Sequence, residues 1–235
     1  TFHKVLDQKH SKEVILKVIT AYKSVFEPGS KYEYSNSNYF ILGCIIETLT
    51  KKSYAENLEN RIVKKVGLGT FEDKTEMTDK GAVTNKVFVP TTYYKEAATN
   101  TENKESYSYY FDGANWVKSY ENHNSIAFSS GGIIATPADL TKFIFALFDG
   151  KLVKPTSLDQ MKEIKEGYGM ALIQFPFGER RFYGHGGRIE NFSSMLGYYP
   201  TEKLSFSLIS NGDNFVQNDI IIGILSIYYK MPFPF

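Results

Sequence analysis

Apolar residues recur at helical spacing between Ser11 and Tyr22 (Val14, Ile15, Val18, Ile19, Tyr22), which predicts an amphipathic helix with Ser11 as its N-cap. Pro28 and Gly29 in FEPGSKYEY break it. The run YFILGCIIETLT is apolar on nearly every side, so it predicts a deeply buried helix, with Asn38 as its cap. Ser53 and Glu56 form a capping box ahead of YAENLENRIVKKV, where Tyr54, Leu58 and Ile62 share one face and Gly67 ends the helix.

From Thr70 to Asn124 the helical stripe disappears, and Lys, Glu, Asn, Thr and Tyr dominate. This predicts a long irregular excursion with short strands near KVFVPTTYY, of the kind that forms a rim or lid. Regularity returns with Thr136 as a cap, Pro137 at the first helical position and Asp139 completing a capping box. Leu140, Phe143, Ile144 and Leu147 line one face of that helix, and Gly150 stops it. A short helix at SLDQMKEI precedes four strand-like runs, YGMALIQF, RRFYGHG, SSMLGYYP and KLSFSLISN. The last two are joined by the turn PTEK. An apolar helix, NDIIIGILSIYYK, closes the chain. Helices, then an antiparallel meander, then a covering helix make an α+β pattern. We read residues 1–235 as one domain, mainly helical over 1–165 and strand-rich over 166–235.

Composition narrows the function classes. The chain has 235 residues, 42% of them hydrophobic, enough for a substantial core. Lys+Arg 27 against Asp+Glu 26 leaves a net charge of +1 and no basic block, which argues against nucleic acid as a partner. The single cysteine, Cys44, has no internal disulfide partner, and its apolar neighbours predict a buried small side chain. No run of about 18 apolar residues predicts a membrane span. The chain opens TFHKVLDQ, without a methionine or a visible signal peptide, and reads as a segment whose beginning has been removed.

Three histidines, His3, His10 and His123, stand in polar surroundings and are expected at the surface, and no pair has metal-ligand spacing. His185 is different, because Gly186 and Gly187 follow it on a predicted strand and leave room for a ligand beside the backbone. The alternative is a structural histidine at a β-bulge. Tyr34-Ser35-Asn36 precedes the buried helix and is either a site or a plain cap. Ser129-Ser130-Gly131-Gly132 lacks the Gly-x-Ser-x-Gly elbow and reads as a tight turn.

Four stretches in order, FEPGSKYEYSNSNYFILGCIIE, SSGGIIATPADLTKF, YGHGGRIENFSSMLGYYP and LSFSLISNGDN, resemble successive blocks of the serine β-lactamase-like hydrolases. That group includes class C β-lactamases, D-Ala-D-Ala carboxypeptidases and related esterases. The resemblance implies a β-lactamase/transpeptidase-like fold and serine acylation of an amide or ester, with a small-molecule or peptide substrate and no cofactor or metal. It assigns Tyr34 as general acid/base and Asn36 as a ligand of the substrate amide. His185 with Gly187 becomes the strand motif, and the backbone N–H of Arg188 an oxyanion donor. His-x-Gly in place of Lys-Thr-Gly tilts the expectation away from efficient β-lactamase and toward a peptidase or esterase. A periplasmic or extracellular location follows from the same resemblance.

The family's nucleophile lies in a Ser-x-x-Lys motif ahead of Tyr-x-Asn, yet no serine here has a lysine three positions on. The expectation is therefore a C-terminal portion, inactive alone, whose nucleophile and first strands lie before Thr1. A separate chain supplying that part is an alternative, as is a naturally shortened binding or interaction module. In the intact family an N-terminal strand pairs outside the last strand. KLSFSLISN is thus expected to present an edge that homodimer pairing, strand exchange or an N-terminal piece covers.

Overall fold

The computed structural model describes residues 7–232 except Lys80, Glu96 and Asp213. His3 lies outside the described residues. The first helix, α1 (Lys12–Ala21), is capped as expected, the Ser11 hydroxyl accepting from Val14 N–H at 3.4 Å. Helix α2 (Asn36–Thr50) follows. A composite helix, α3, begins at Tyr54–Leu58, passes through a π-turn at Glu59–Val63 and ends at Lys64–Val66. The Ser53–Glu56 capping box is present, and Gly67 ends the helix at φ 69°.

Two strands, β1 (Gly69–Thr78) and β2 (Gly81–Pro90), form an antiparallel ribbon. Short strands β3 (Tyr93–Tyr94), β4 (Tyr109–Phe111), β5 (Trp116–Lys118) and β6 (Ile133–Ile134) pair as β3 with β6 and β4 with β5. Then come α4 (Pro137–Phe148) and α5 (Pro155–Met161). The main sheet is built from β7 (Ile173–Phe177), β8 (Arg180–Ile189), β9 (Phe192–Tyr199) and β10 (Leu204–Ser210), antiparallel in the order β10-β9-β8-β7. Helix α6 (Gln217–Tyr228) closes the described chain.

The sheet has two covered faces because its residues alternate. Phe182 on β8 is fully buried in a cluster with Phe177 and with Ile221 and Leu225 of α6. Its neighbour Tyr183 points the other way, where Phe148 of α4 meets both Tyr183 and Tyr198. His185, two residues beyond Tyr183, therefore faces the helical side. A second core, Leu58, Val63 and Leu68, packs with Phe88 and Phe143 and roots the β1–β2 ribbon. Among the described residues no helix is long and apolar enough to cross a membrane.

Several expectations need correction. The helix expected to start after Asn38 begins at Asn36, with Ser35 in the extended N-cap conformation. It is also far less buried than its composition suggests: Phe40 and Gly43 are buried, whereas Leu42, Ile45, Ile46 and Leu49 are exposed. Those four side chains keep 37–78% of their surface in solvent. Cys44 is half-buried for the same reason, though burial still pushes its thiol pKa up. The 70–124 stretch is more regular than expected, because it contains two ten-residue strands. Asp139 does not complete a capping box by reaching back. Thr136 accepts from the Asp139 N–H, but the Asp139 carboxylate accepts from Thr91 and Thr92 and pairs with Lys142. Among the described residues the last strand, β10, pairs on one side only. Its residues are half-buried throughout because helices cover its faces.

Candidate active site

The start of α2 fixes the first element of the site. Ser35 takes an extended conformation (φ −147°, ψ 121°), which turns the chain so that Tyr34 and Asn36 lie side by side. The Tyr34 hydroxyl donates to Asn36 Oδ1 at 3.0 Å. A phenol that donates there occupies the amide's acceptor, so Asn36 Nδ2 keeps both hydrogens for a ligand. Tyr34 is 51% exposed, so its ring is open to a ligand.

His185 comes to the same place from β8. Its ring centroid lies 6.5 Å from that of Tyr34, with the planes 34° apart. His185 Nδ1 sits 2.5 Å from the Gly186 carbonyl oxygen. A carbonyl only accepts, so Nδ1 carries the proton, and neutral His185 has its lone pair on Nε2. Gly187 shares the His185 face of the strand by alternation and lies opposite Ser194. A Cβ there would stand 2.7 Å from Ser194 Oγ, so the glycine keeps the strand open beside the histidine. Arg188 follows, opposite Ser193. Tyr34, Asn36 and His185 are thus brought together, and Gly187 and Arg188 extend the same strand edge.

Sequence reasoning missed Tyr168, which sits between the two halves. Its ring is 5.9 Å from Tyr34, 5.7 Å from His185 and 5.2 Å from Tyr32, on which it stacks. The turn that carries it is tight: Glu166, Gly167 and Ala171 all have positive φ, and Lys165 and Tyr168 exchange backbone hydrogen bonds. The Ala171 N–H also donates to the Tyr39 phenol oxygen. Burial, reinforced by neighbouring phenols, raises the pKa of Tyr168 and of Tyr39, so both stay protonated at neutral pH. The signal in the sequence was weak, because Tyr168 is one of 17 tyrosines and lies outside every regular element.

The Ser129–Ser130 stretch is a short 3₁₀ turn, as expected. Ser129 Oγ donates to the Tyr39 carbonyl at 2.7 Å and Ser130 Oγ to that of Ala127 at 2.5 Å, so both hydroxyls are committed to the backbone. His10 and His123 are half-buried rather than on the surface. Both converge on Ser125, whose hydroxyl accepts from the His10 N–H and meets His123 Nδ1 at 2.9 Å. Burial lowers the His123 pKa. Among the described residues no three His, Cys, Asp or Glu side chains are grouped to hold a metal.

Comparison with known proteins agrees with this fold. The family described as Beta-lactamase matches residues 2–224. PbpX of Bacillus subtilis (strain 168) is 27% identical over 202 residues, which cover 84% of this chain and 43% of PbpX. A D-aminopeptidase of Brucella anthropi is 24% identical over 216 residues, 88% of this chain and 36% of that protein. The chain spans less than half the length of these curated relatives. Among solved structures, a D-stereospecific amidohydrolase from Streptomyces sp. superposes with a TM-score of 0.74 at 23% identity, covering 98% of this chain and 64% of that one.

Proposed function

The chain belongs to the beta-lactamase family, with its α+β β-lactamase/transpeptidase-like fold and serine-hydrolase relatives, and from that footing we propose that it carries the proton-transfer and oxyanion side of an acyl-transfer site. The observation that carries the reading is the meeting of Tyr34, Asn36 and His185: a phenol bonded to an amide, 6.5 Å from an imidazole on another element. The nucleophile in this proposal is a serine outside these 235 residues, since no serine within them is followed by lysine three positions on.

A base accepts the proton of the serine hydroxyl as its oxygen bonds to the substrate carbonyl carbon. The carbonyl electrons move to oxygen, where the Arg188 N–H supplies part of the oxyanion hole. Tyr34 delivers a proton to the departing amine or alcohol as its bond to carbon breaks. Water then releases the acyl group by the reverse traffic. Asn36 Nδ2 holds the substrate's own amide carbonyl. A histidine at 185, where Lys-Thr-Gly relatives have a lysine, puts no permanent cation beside the strand, which favours amidase, peptidase or ester substrates over efficient β-lactam turnover. D-aminopeptidase and D-amidohydrolase relatives point to D-configured acyl groups.

The test compares this chain with the product of its complete reading frame, using a fluorescent penicillin and a D-amino acid p-nitroanilide. The chain alone is expected to take no label and release no nitroaniline, because residual catalysis without a nucleophile is small. The longer product should be acylated at a Ser-x-x-Lys serine outside residues 1–235. Stoichiometric labelling of Ser35, Ser129 or Ser130 would overturn the proposal. Absence of acylation in the longer product would favour a binding module instead.

A further inference from the structure

Tyr34 has little in its own segment to hold its ring. Residues 31–35 form no regular element, and Ser35 at the N-cap of α2 makes no side-chain cap bond. The hydroxyl is tied to Asn36, but the ring is exposed. A proton carrier must lie within hydrogen-bond reach of the atom it serves, and a misplacement of about 1 Å can cost about 10²-fold in rate. Tyr168 supplies the missing contact. Its ring lies 5.9 Å from that of Tyr34 and 5.7 Å from that of His185, closer to each than the 6.5 Å between those two. Tyr32, two residues before Tyr34, stacks on the same ring at 5.2 Å with the planes 22° apart. One side chain therefore meets both tyrosines of the segment and the histidine of the strand.

The turn that presents Tyr168 is held from three directions. Its backbone exchanges hydrogen bonds with Lys165 at 2.8 and 3.0 Å and bridges antiparallel to Ile173 at the start of β7. A Cβ on Gly169 would collide with the Met161 carbonyl oxygen at the end of α5, and that oxygen accepts from the Met170 N–H at 3.1 Å. The Ala171 N–H donates to the phenol of Tyr39, which stands one turn after Asn36 on α2. The turn is thus tied to β7, to α5 and to the helix that carries Asn36. Within it Glu166 and Ala171 hold φ 50° and 59°, a left-handed conformation that L side chains disfavour. Such strain persists where surrounding contacts over-determine the backbone, and it concentrates at functional sites.

We propose that Tyr168 is a positioning residue, whose ring clamps the Tyr32–Tyr34 segment and holds the Tyr34 phenol beside His185 while its own hydroxyl takes no part in the reaction. The proposal rests on the reading of Tyr34 as the proton carrier. It separates ring from phenol, so Tyr168→Phe and Tyr168→Leu have different consequences: the first keeps the clamp, and the second keeps bulk without a ring.

The first measurement needs no activity. In the 235-residue chain, nuclear Overhauser cross-peaks between the Tyr34 and His185 rings should be present in wild type and in Tyr168→Phe, and lost in Tyr168→Leu. Their persistence in Tyr168→Leu overturns the proposal, even if the longer product takes no acyl label and the serine-acylation reading itself has failed. The second measurement uses the acylating product. Tyr168→Leu should lower kcat about 10²-fold with KM nearly unchanged, and Tyr168→Phe should recover most of that loss. On a Tyr34→Phe background Tyr168→Leu should cost little more, because it acts through Tyr34. Losses that add, or a Tyr168→Phe enzyme as slow as Tyr168→Leu, overturn the proposal, the latter by making the Tyr168 phenol a proton carrier. Tyr39→Phe carries the same test if Tyr168→Leu does not fold. It removes the bond that ties the turn to α2, so it should weaken the same cross-peaks and lower kcat in the same direction, and an unchanged spectrum and kcat would overturn the proposal.

Discussion

The Tyr34 hydroxyl donates to Asn36 Oδ1 across 3.0 Å, which ties the proton carrier and the amide ligand into one unit at the first turn of α2. Removing the hydroxyl leaves the ring and frees the Asn36 acceptor. Tyr34 is 51% exposed, so Tyr34→Phe should leave stability within about 0.5 kcal/mol. In the acylating form of the protein it should lower kcat by roughly 10²–10⁴, the span of a lost acid–base group. Asn36→Asp keeps an acceptor for Tyr34 but loses the N–H donors, so it should raise KM for amide substrates. Steady-state kinetics separate the two effects, and a Tyr34→Phe enzyme within twofold of wild-type kcat would remove Tyr34 from proton transfer.

The glycines around His185 are not equivalent. An added Cβ at Gly184 would lie 1.8 Å from the Leu196 carbonyl oxygen, a backbone atom of the neighbouring strand. At Gly186 the nearest atoms, on Met195 and Ser194, are 3.5 Å away, an ordinary contact. Gly184→Ala should therefore cost about 3 kcal/mol or prevent folding, whereas Gly186→Ala should fold with less than about 1 kcal/mol lost. Urea denaturation of the two single variants checks this, and equal losses would mean that close approach to β9 is not what requires glycine at 184.

Much of this site was legible because its parts sit at element boundaries that local chemistry marks. Tyr34 and Asn36 precede an apolar run, and His185 stands among strand glycines, so both signals were visible in a few residues. Tyr168 was not, because its position depends on a turn of three left-handed residues, two of them non-glycine, which no propensity suggests. The burial of α2 was misjudged because periodicity reports which residues are apolar and not whether a partner covers them. Only the KVFVP end of the β1–β2 ribbon was expected as strand, for a related reason: the rest of its exposed strands alternate polar and apolar residues too weakly to announce themselves.

Glu190 offers a pH test away from the proposed chemistry. It opens the β8–β9 turn at φ 48°, and its Oε1 accepts from the Asn122 N–H at 2.9 Å. Burial raises its pKa above the ordinary 4.5; the Asn122 hydrogen bond and Lys95 oppose the rise, and Glu121 adds to it. A raised folded-state pKa means a stabilising contribution present below the unfolded value and lost as pH rises through the folded one. Glu190→Gln keeps the acceptor and escapes that loss. It should melt on the order of 1 °C above wild type at pH 7, with the gap closing near pH 4. Thermal scans across that range decide it, and a variant less stable at pH 7 would show that the carboxylate is net favourable.

Asp139 binds the excursion to the helical core. The side chain is 2% exposed at the first turn of α4, and Oδ2 accepts from Thr91 Oγ1 at 2.5 Å and Thr92 Oγ1 at 2.9 Å. Lys142 lies 3.5 Å from the other oxygen. Those threonines lead into β3, which pairs with β6 just past the turn whose Ser129 holds the start of α2. Asp139→Ala would leave two hydroxyls without their acceptor and should cost about 2–4 kcal/mol, or roughly 5–15 °C in melting temperature. Asp139→Asn retains an amide oxygen for one of them and should cost less than half as much. A double-mutant cycle with Thr92→Val measures the bond itself, with a coupling of about 1–2 kcal/mol expected. Strict additivity in that cycle would mean that Asp139 acts through its exposed lysine or the helix end, and not by tying down the excursion.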